Sequence, residues 1–82
     1  MLYHLGNARE KLEKLDLAAQ DYFSVIKLDN THAAAYHGLG LIYDKMNNFA
    51  EAIKYFDKAL ELDFENAIYW HNRGCSYRNL GR

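Results

Sequence analysis

The sequence has no proline, one cysteine and five glycines among its 82 residues. Without proline, nothing forces a break in a helix, so long uninterrupted helices are permitted throughout. A single thiol, Cys75, makes no internal disulfide, and the expectation is an intracellular, reducing, cytoplasmic setting. No apolar run approaches the roughly 20 residues that a membrane span requires, and no secretory pattern opens the sequence. Neither sign of charge dominates: ten Lys and Arg against eleven Asp and Glu leave a formal charge of -1. Binding nucleic acid by bulk electrostatics wants a clear basic excess, so that class is disfavoured. What is present is a composition half hydrophobic (50%) and 26% charged, enough to bury the core of one small domain.

The chain repeats itself. Sliding it by 34 residues lays Leu5-Gly6 on Leu39-Gly40 and Gly40 on Gly74, without a gap. The same shift aligns Ala18 with Ala52, Tyr22 with Phe56, Leu28-Asp29 with Leu62-Asp63, Tyr36 with Trp70, His37 with His71 and Tyr43 with Tyr77. Within a period the apolar spacing is helical: Tyr36, Leu39, Tyr43 and Met46 form one series, and Phe49, Ala52, Ile53, Phe56, Ala59 and Leu60 a second. Asn47-Asn48 separates the two, and Asn tolerates the left-handed conformation that closes a helix. Asn66 and Thr31 are the expected caps of the helices that follow them. The pattern therefore predicts an all-α chain of five helices, near 2–13, 16–28, 33–46, 49–62 and 67–80. The first turn, Glu13-Lys14, has neither glycine nor asparagine.

Small residues carry the packing expectation. Gly40 and Ala52 present almost no side chain, so paired helices can approach closely there, with Tyr36, Leu39, Tyr43 and Phe56 filling the space around them. The register extends this role to Leu5, Gly6, Ala18, Ala59, Trp70, Gly74 and Tyr77.

These residues resemble a tetratricopeptide repeat array, whose unit is a helix-turn-helix of 34 residues. The best match is 33–66, with Tyr36, Leu39-Gly40, Tyr43, Ala52, Phe56, Ala59 and the ending Leu60-Glu61-Leu62-Asp63; partial units occupy 1–32 and 67–82 of the single domain. Trp70, Gly74 and Tyr77 carry the pattern in the third unit, and Leu5-Gly6, Ala18 and Tyr22 in the first. Three features depart from it: Asn30 and Phe64 stand where the family places proline, Arg9 replaces an aromatic, and Arg73 stands where Leu5 and Leu39 stand. For Arg73 the expectation is an apolar stem along the core and a guanidinium paired at the rim. The resemblance implies an α-solenoid of antiparallel hairpins, a segment of right-handed superhelix. The array begins inside one unit and stops inside another, as a piece of a longer protein would, or one whose end is covered by another copy.

No catalytic arrangement is visible, and no cofactor is implied. Ser24 and Ser76 sit in no glycine-flanked nucleophile turn, and the glycines are scattered inside helices rather than gathered in a phosphate loop. Asp16, Asp21, Glu51 and Glu61 lie at helix-surface spacing and read as a solvated face. His71 and Cys75 share one helix face, with His37 a repeat away, but zinc wants three or four ligands, so no metal is expected.

Stacked hairpins rotate slightly from unit to unit and form a concave surface lined by the first helix of each pair. In the family that groove binds a stretch of another protein, and the resemblance implies the same function here. The lining would be Tyr3, Asn7, Glu10 and Lys11, then His37, Leu41, Asp44 and Lys45, then His71, Asn72, Cys75, Arg78 and Asn79. Its charge is mixed, and neither register aligns the basic residues of a carboxylate clamp, so the expected partner is a neutral or amphipathic peptide segment or helix. A structural reading stands beside this one, in which repeat ends pack against further repeats or other copies through the uncovered last helix with Trp70, Tyr77 and Leu80. RNA recognition by a pentatricopeptide-like repeat is a lesser alternative, disfavoured by the 34-residue register and the charge of -1.

Overall fold

The computed structural model describes residues 2–81, with side chains over 14–81. It contains α1 (Leu2–Leu28), α2 (Ala33–Lys45), α3 (Phe49–Leu62) and α4 (Ala67–Leu80), with no strand among the described residues. The helices pack in chain order, α1 on α2, α2 on α3 and α3 on α4, and α2 also touches α4.

The expected helices 2–13 and 16–28 are one continuous helix, Leu2–Leu28, so the count is four rather than five. The reason is local. Leu12, Glu13, Lys14 and Leu15 are all strong helix formers, and no residue among them favours a left-handed or capping conformation. Asn47 shows what the first turn lacks: its φ is 61°, and the Asn47 and Asn48 amides return to the carbonyls of Asp44 and Tyr43 at 3.0 and 2.9 Å. That pair of bonds satisfies the end of α2 and turns the chain into α3.

The other caps divide. Asn66 Oδ1 accepts from the amides of Ile68 and Tyr69 at 3.0 and 3.3 Å, as an N-cap does. Thr31 does not cap α2. His32 holds that position, its Nδ1 accepting from the Ala35 amide at 3.1 Å. Thr31 instead donates its amide and hydroxyl to Asp29 Oδ1 at 3.0 and 2.6 Å, which closes the turn after α1 and holds the Asp29 carboxyl below its usual range.

The core lies where α2, α3 and α4 meet: Tyr36, Leu39, Ala52, Phe56, Ala59, Leu60 and Tyr69 are buried. Gly40 is tight against Phe56; a Cβ there would fall 2.6 Å from the ring carbon Cδ1. Gly38 makes the corresponding close approach to α1, where a Cβ would fall 2.7 Å from Tyr22 Cε1. Tyr43 is half-buried and stacks on Tyr55 with centroids 5.3 Å apart.

At the last helix the packing expectation needs correction. A Cβ on Gly74 would meet nothing within 4 Å, and Trp70 and Tyr77 are 50% and 47% exposed. Among the described residues, nothing stands against Gly74 as Phe56 of α3 stands against Gly40. Ala18 is half-buried on α1, while Leu5 and Gly6 precede the residues whose packing is described.

Candidate functional site: the face shared by α2 and α4

α2 and α4 run side by side because the period returns the chain to the same place after one hairpin. Two side-chain hydrogen bonds tie them. Asn72 Nδ2 on α4 donates to His37 Nε2 on α2 at 2.8 Å, and the Ser76 hydroxyl donates to Asp44 Oδ1 at 3.0 Å. These rungs place His37, Asp44, Asn72 and Ser76 on the seam between the helices.

The His37 ring is held on several sides. It stacks on Tyr69 with centroids 4.5 Å apart and meets Phe56, tilted, at 5.5 Å. Partial burial among these rings pushes its pKa below the ordinary histidine value. With Nε2 accepting from Asn72, the proton of the neutral ring sits on Nδ1.

Around the seam, Leu41 and Asn79 are half-buried and Lys45, His71 and Arg78 are exposed. Cys75 is half-buried, with Arg78 Nη2 donating to its sulfur at 3.3 Å and His71 Nε2 at 3.7 Å from it. His37 stands apart from that pair, engaged by Asn72. Among the described residues, no group of three or more His, Cys, Asp or Glu gathers in a way that would hold a metal ion. The side chains of Tyr3, Asn7, Glu10 and Lys11, also expected on this face, lie outside the described residues.

Arg73 leaves the seam and turns to the opposite edge of α4. Its guanidinium pairs with Asp57 of α3 and lies over the rings of Trp70 and Tyr77, 5.6 and 4.8 Å from their centroids.

Residues 33–66 match the tetratricopeptide repeat family, and residues 1–32 match it a second time. The chain belongs to the tetratricopeptide repeat family. Two of the similar proteins carry the repeat in their names. Protein bimA of Emericella nidulans is 38% identical over 56 residues, 68% of this chain and 7% of that protein. Human tetratricopeptide repeat protein 6 is 39% identical over 59 residues, 72% of this chain and 11% of that protein. Human small glutamine-rich tetratricopeptide repeat-containing protein alpha is 43% identical over 37 residues, 45% of this chain and 12% of that protein. The chain thus spans roughly a tenth of the length of these relatives. Tetratricopeptide repeats are in general protein–protein interaction modules and typically non-enzymatic scaffolds. In repeat terms, α2 and α3 form one hairpin and α4 is the first helix of the next.

Sequence reasoning passed over Ser76, Gly38 and Tyr69. The signal was available in the register: Ser76 falls on Ile42, which is buried, and Tyr69 falls on Ala35, which is buried too. Read that way, the serine occupies an inward position, and a buried hydroxyl must find a partner.

Proposed function

We propose that this tetratricopeptide repeat chain is a scaffold that binds a peptide segment or helix of a partner protein on the face built by α2 and α4. The observation that carries the reading is the pair of rungs, His37–Asn72 and Asp44–Ser76. They hold the two lining helices at a set spacing before any partner arrives, so binding loses little to ordering the receptor. The face offers a half-buried imidazole, Leu41, two amides (Asn72 and Asn79) and the cations Lys45 and Arg78 at its lower end. Such a surface suits a neutral or amphipathic segment: main-chain groups meet the amides, an apolar side chain meets Leu41, and an acidic residue meets the cations.

The test is selection of binding peptides from a random displayed library with the purified chain, followed by affinity measurement on variants. Asn72→Ala and the double variant Lys45→Glu with Arg78→Glu should each weaken the selected peptides about tenfold, the worth of roughly 1.4 kcal/mol. Unchanged affinity in both would place binding elsewhere and overturn the proposal.

A further inference from the structure

We infer that His37 decides which atom Asn72 shows to a partner. With the ring neutral, the amide presents its carbonyl oxygen and takes an N–H of the bound segment. With the ring protonated, the amide turns over and presents its NH2 instead. The inference rests on the proposed binding at the α2–α4 face and names the chemistry read there.

An imidazole nitrogen accepts a hydrogen bond only while it carries no proton, and the NH2 group of an asparagine only donates. The 2.8 Å bond from Asn72 Nδ2 to His37 Nε2 therefore belongs to the neutral ring. It also fixes the amide, because Oδ1 is the atom left over. Among the described residues this is the one hydrogen bond of the Asn72 side chain, and no buried side-chain oxygen lacks a partner. Oδ1 is thus open on the face and free to accept.

Protonation closes the lone pair of Nε2 and sets two donors against each other. The ring is held from turning away, stacked on Tyr69 and against Phe56 with centroids 4.5 and 5.5 Å off. The amide is the part that moves, by half a turn about its last side-chain bond and with no shift of the backbone. Oδ1 then accepts from Nε2–H, and both Nδ2 hydrogens face outward. The neutral state takes an N–H donor; the protonated state offers donors beside a cation, which suit a carbonyl or a carboxylate.

No charged group holds His37 in either state. α3 faces the ring with Phe56, α4 faces it with Tyr69 and Asn72, and Tyr22 of α1 stands against the adjoining Gly38. Asp44 lies about two turns along α2 and is bonded to Ser76. His71, beside Asn72, is exposed and turned to Cys75. Burial alone lowers the His37 pKa, so the change falls below 6.5. Tyr69, whose pKa is raised by burial and by Asp63, stays neutral throughout.

Two measurements on the full 82-residue chain test this. The first follows the His37 imidazole and Asn72 amide NMR signals between pH 7.5 and 5. The neutral ring should carry its proton on Nδ1, and the Asn72 NH2 signals should move with the His37 midpoint in the wild type and stay still in His37→Gln. A neutral ring protonated on Nε2, or an amide indifferent to His37, would overturn the inference whether or not any peptide binds. The second uses peptides selected at pH 7.5 from a displayed library lacking His, Asp and Glu. Their affinity should fall about three- to tenfold at pH 5, as the competent neutral fraction shrinks. His37→Gln and Asn72→Ala should each remove that dependence, and His71→Gln should retain it. Circular dichroism confines the comparison to conditions in which every variant is folded. An equal pH response in the wild type and His37→Gln would also overturn the inference. Recovery of no peptide would count against the binding face, and the NMR result would then decide the Asn72 orientation by itself.

Discussion

Ser76 and Asp44 show how a single residue couples the two helices of the proposed binding face. Ser76 is 0% exposed, and its hydroxyl has its acceptor in the Asp44 carboxylate 3.0 Å away. Ser76→Ala removes that donor and leaves Asp44 with one hydrogen bond fewer; urea unfolding should show a loss of about 1–2 kcal/mol. His37 makes a different prediction, because its charge state responds to pH. Its folded pKa lies below the ordinary value of 6.5, owing to burial. The unfolded chain therefore takes up a proton at this site more readily than the folded one, and stability falls as pH drops from that value through the lower folded pKa. Above it the contribution is fully present. Denaturant midpoints between pH 7.5 and 5 should decline in the wild type, and the slope should flatten in His37→Gln.

At the scale of the element, two glycines one period apart should answer the same substitution with opposite signs. Gly40→Ala drives a methyl into the Phe56 ring and should destabilise by about 1–3 kcal/mol through overpacking. Gly74→Ala enters open space and should stabilise by about 0.5–1 kcal/mol, because alanine is the better helix former. Thermal melts of the two variants check the pair. The turn after α2 obeys the same kind of rule. Asn47 occupies the left-handed region at φ 61°, so Asn47→Gly should be neutral or mildly stabilising and Asn47→Val should cost about 1–2 kcal/mol. The long α1 is the converse case: with no such residue at Glu13-Lys14, the helix runs on.

For the whole molecule, the consequence is a stack whose faces have separate roles. The proposed partner site is the α2–α4 seam, whereas Trp70 and Tyr77 lie with Arg73 at the opposite edge of α4. Variants should therefore sort cleanly. Lys45→Glu with Arg78→Glu should weaken peptide binding and leave the helical circular dichroism unchanged, because both side chains are exposed.

The interior of the repeat was legible beforehand because its residues are set by spacing alone. Tyr36, Leu39, Gly40, Ala52, Phe56 and Ala59 recur at helical intervals, and any helix with that stripe must turn it toward a neighbour to remove it from water. The Asn47-Asn48 turn and the Asn66 cap were legible for a similar reason: each depends on the backbone within three or four residues of itself. What lies between helices was not. The His37–Asn72 and Asp44–Ser76 bonds join residues 35 and 32 positions apart, and only the approach of α2 to α4 decides which polar groups meet. The same holds for Gly74, which has the local sequence of a packed glycine but, among the described residues, nothing within 4 Å of where a Cβ would stand. Local sequence sets the periodicity, the caps and the family; close contact between distant helices sets which polar groups pair and which surfaces remain open to a partner.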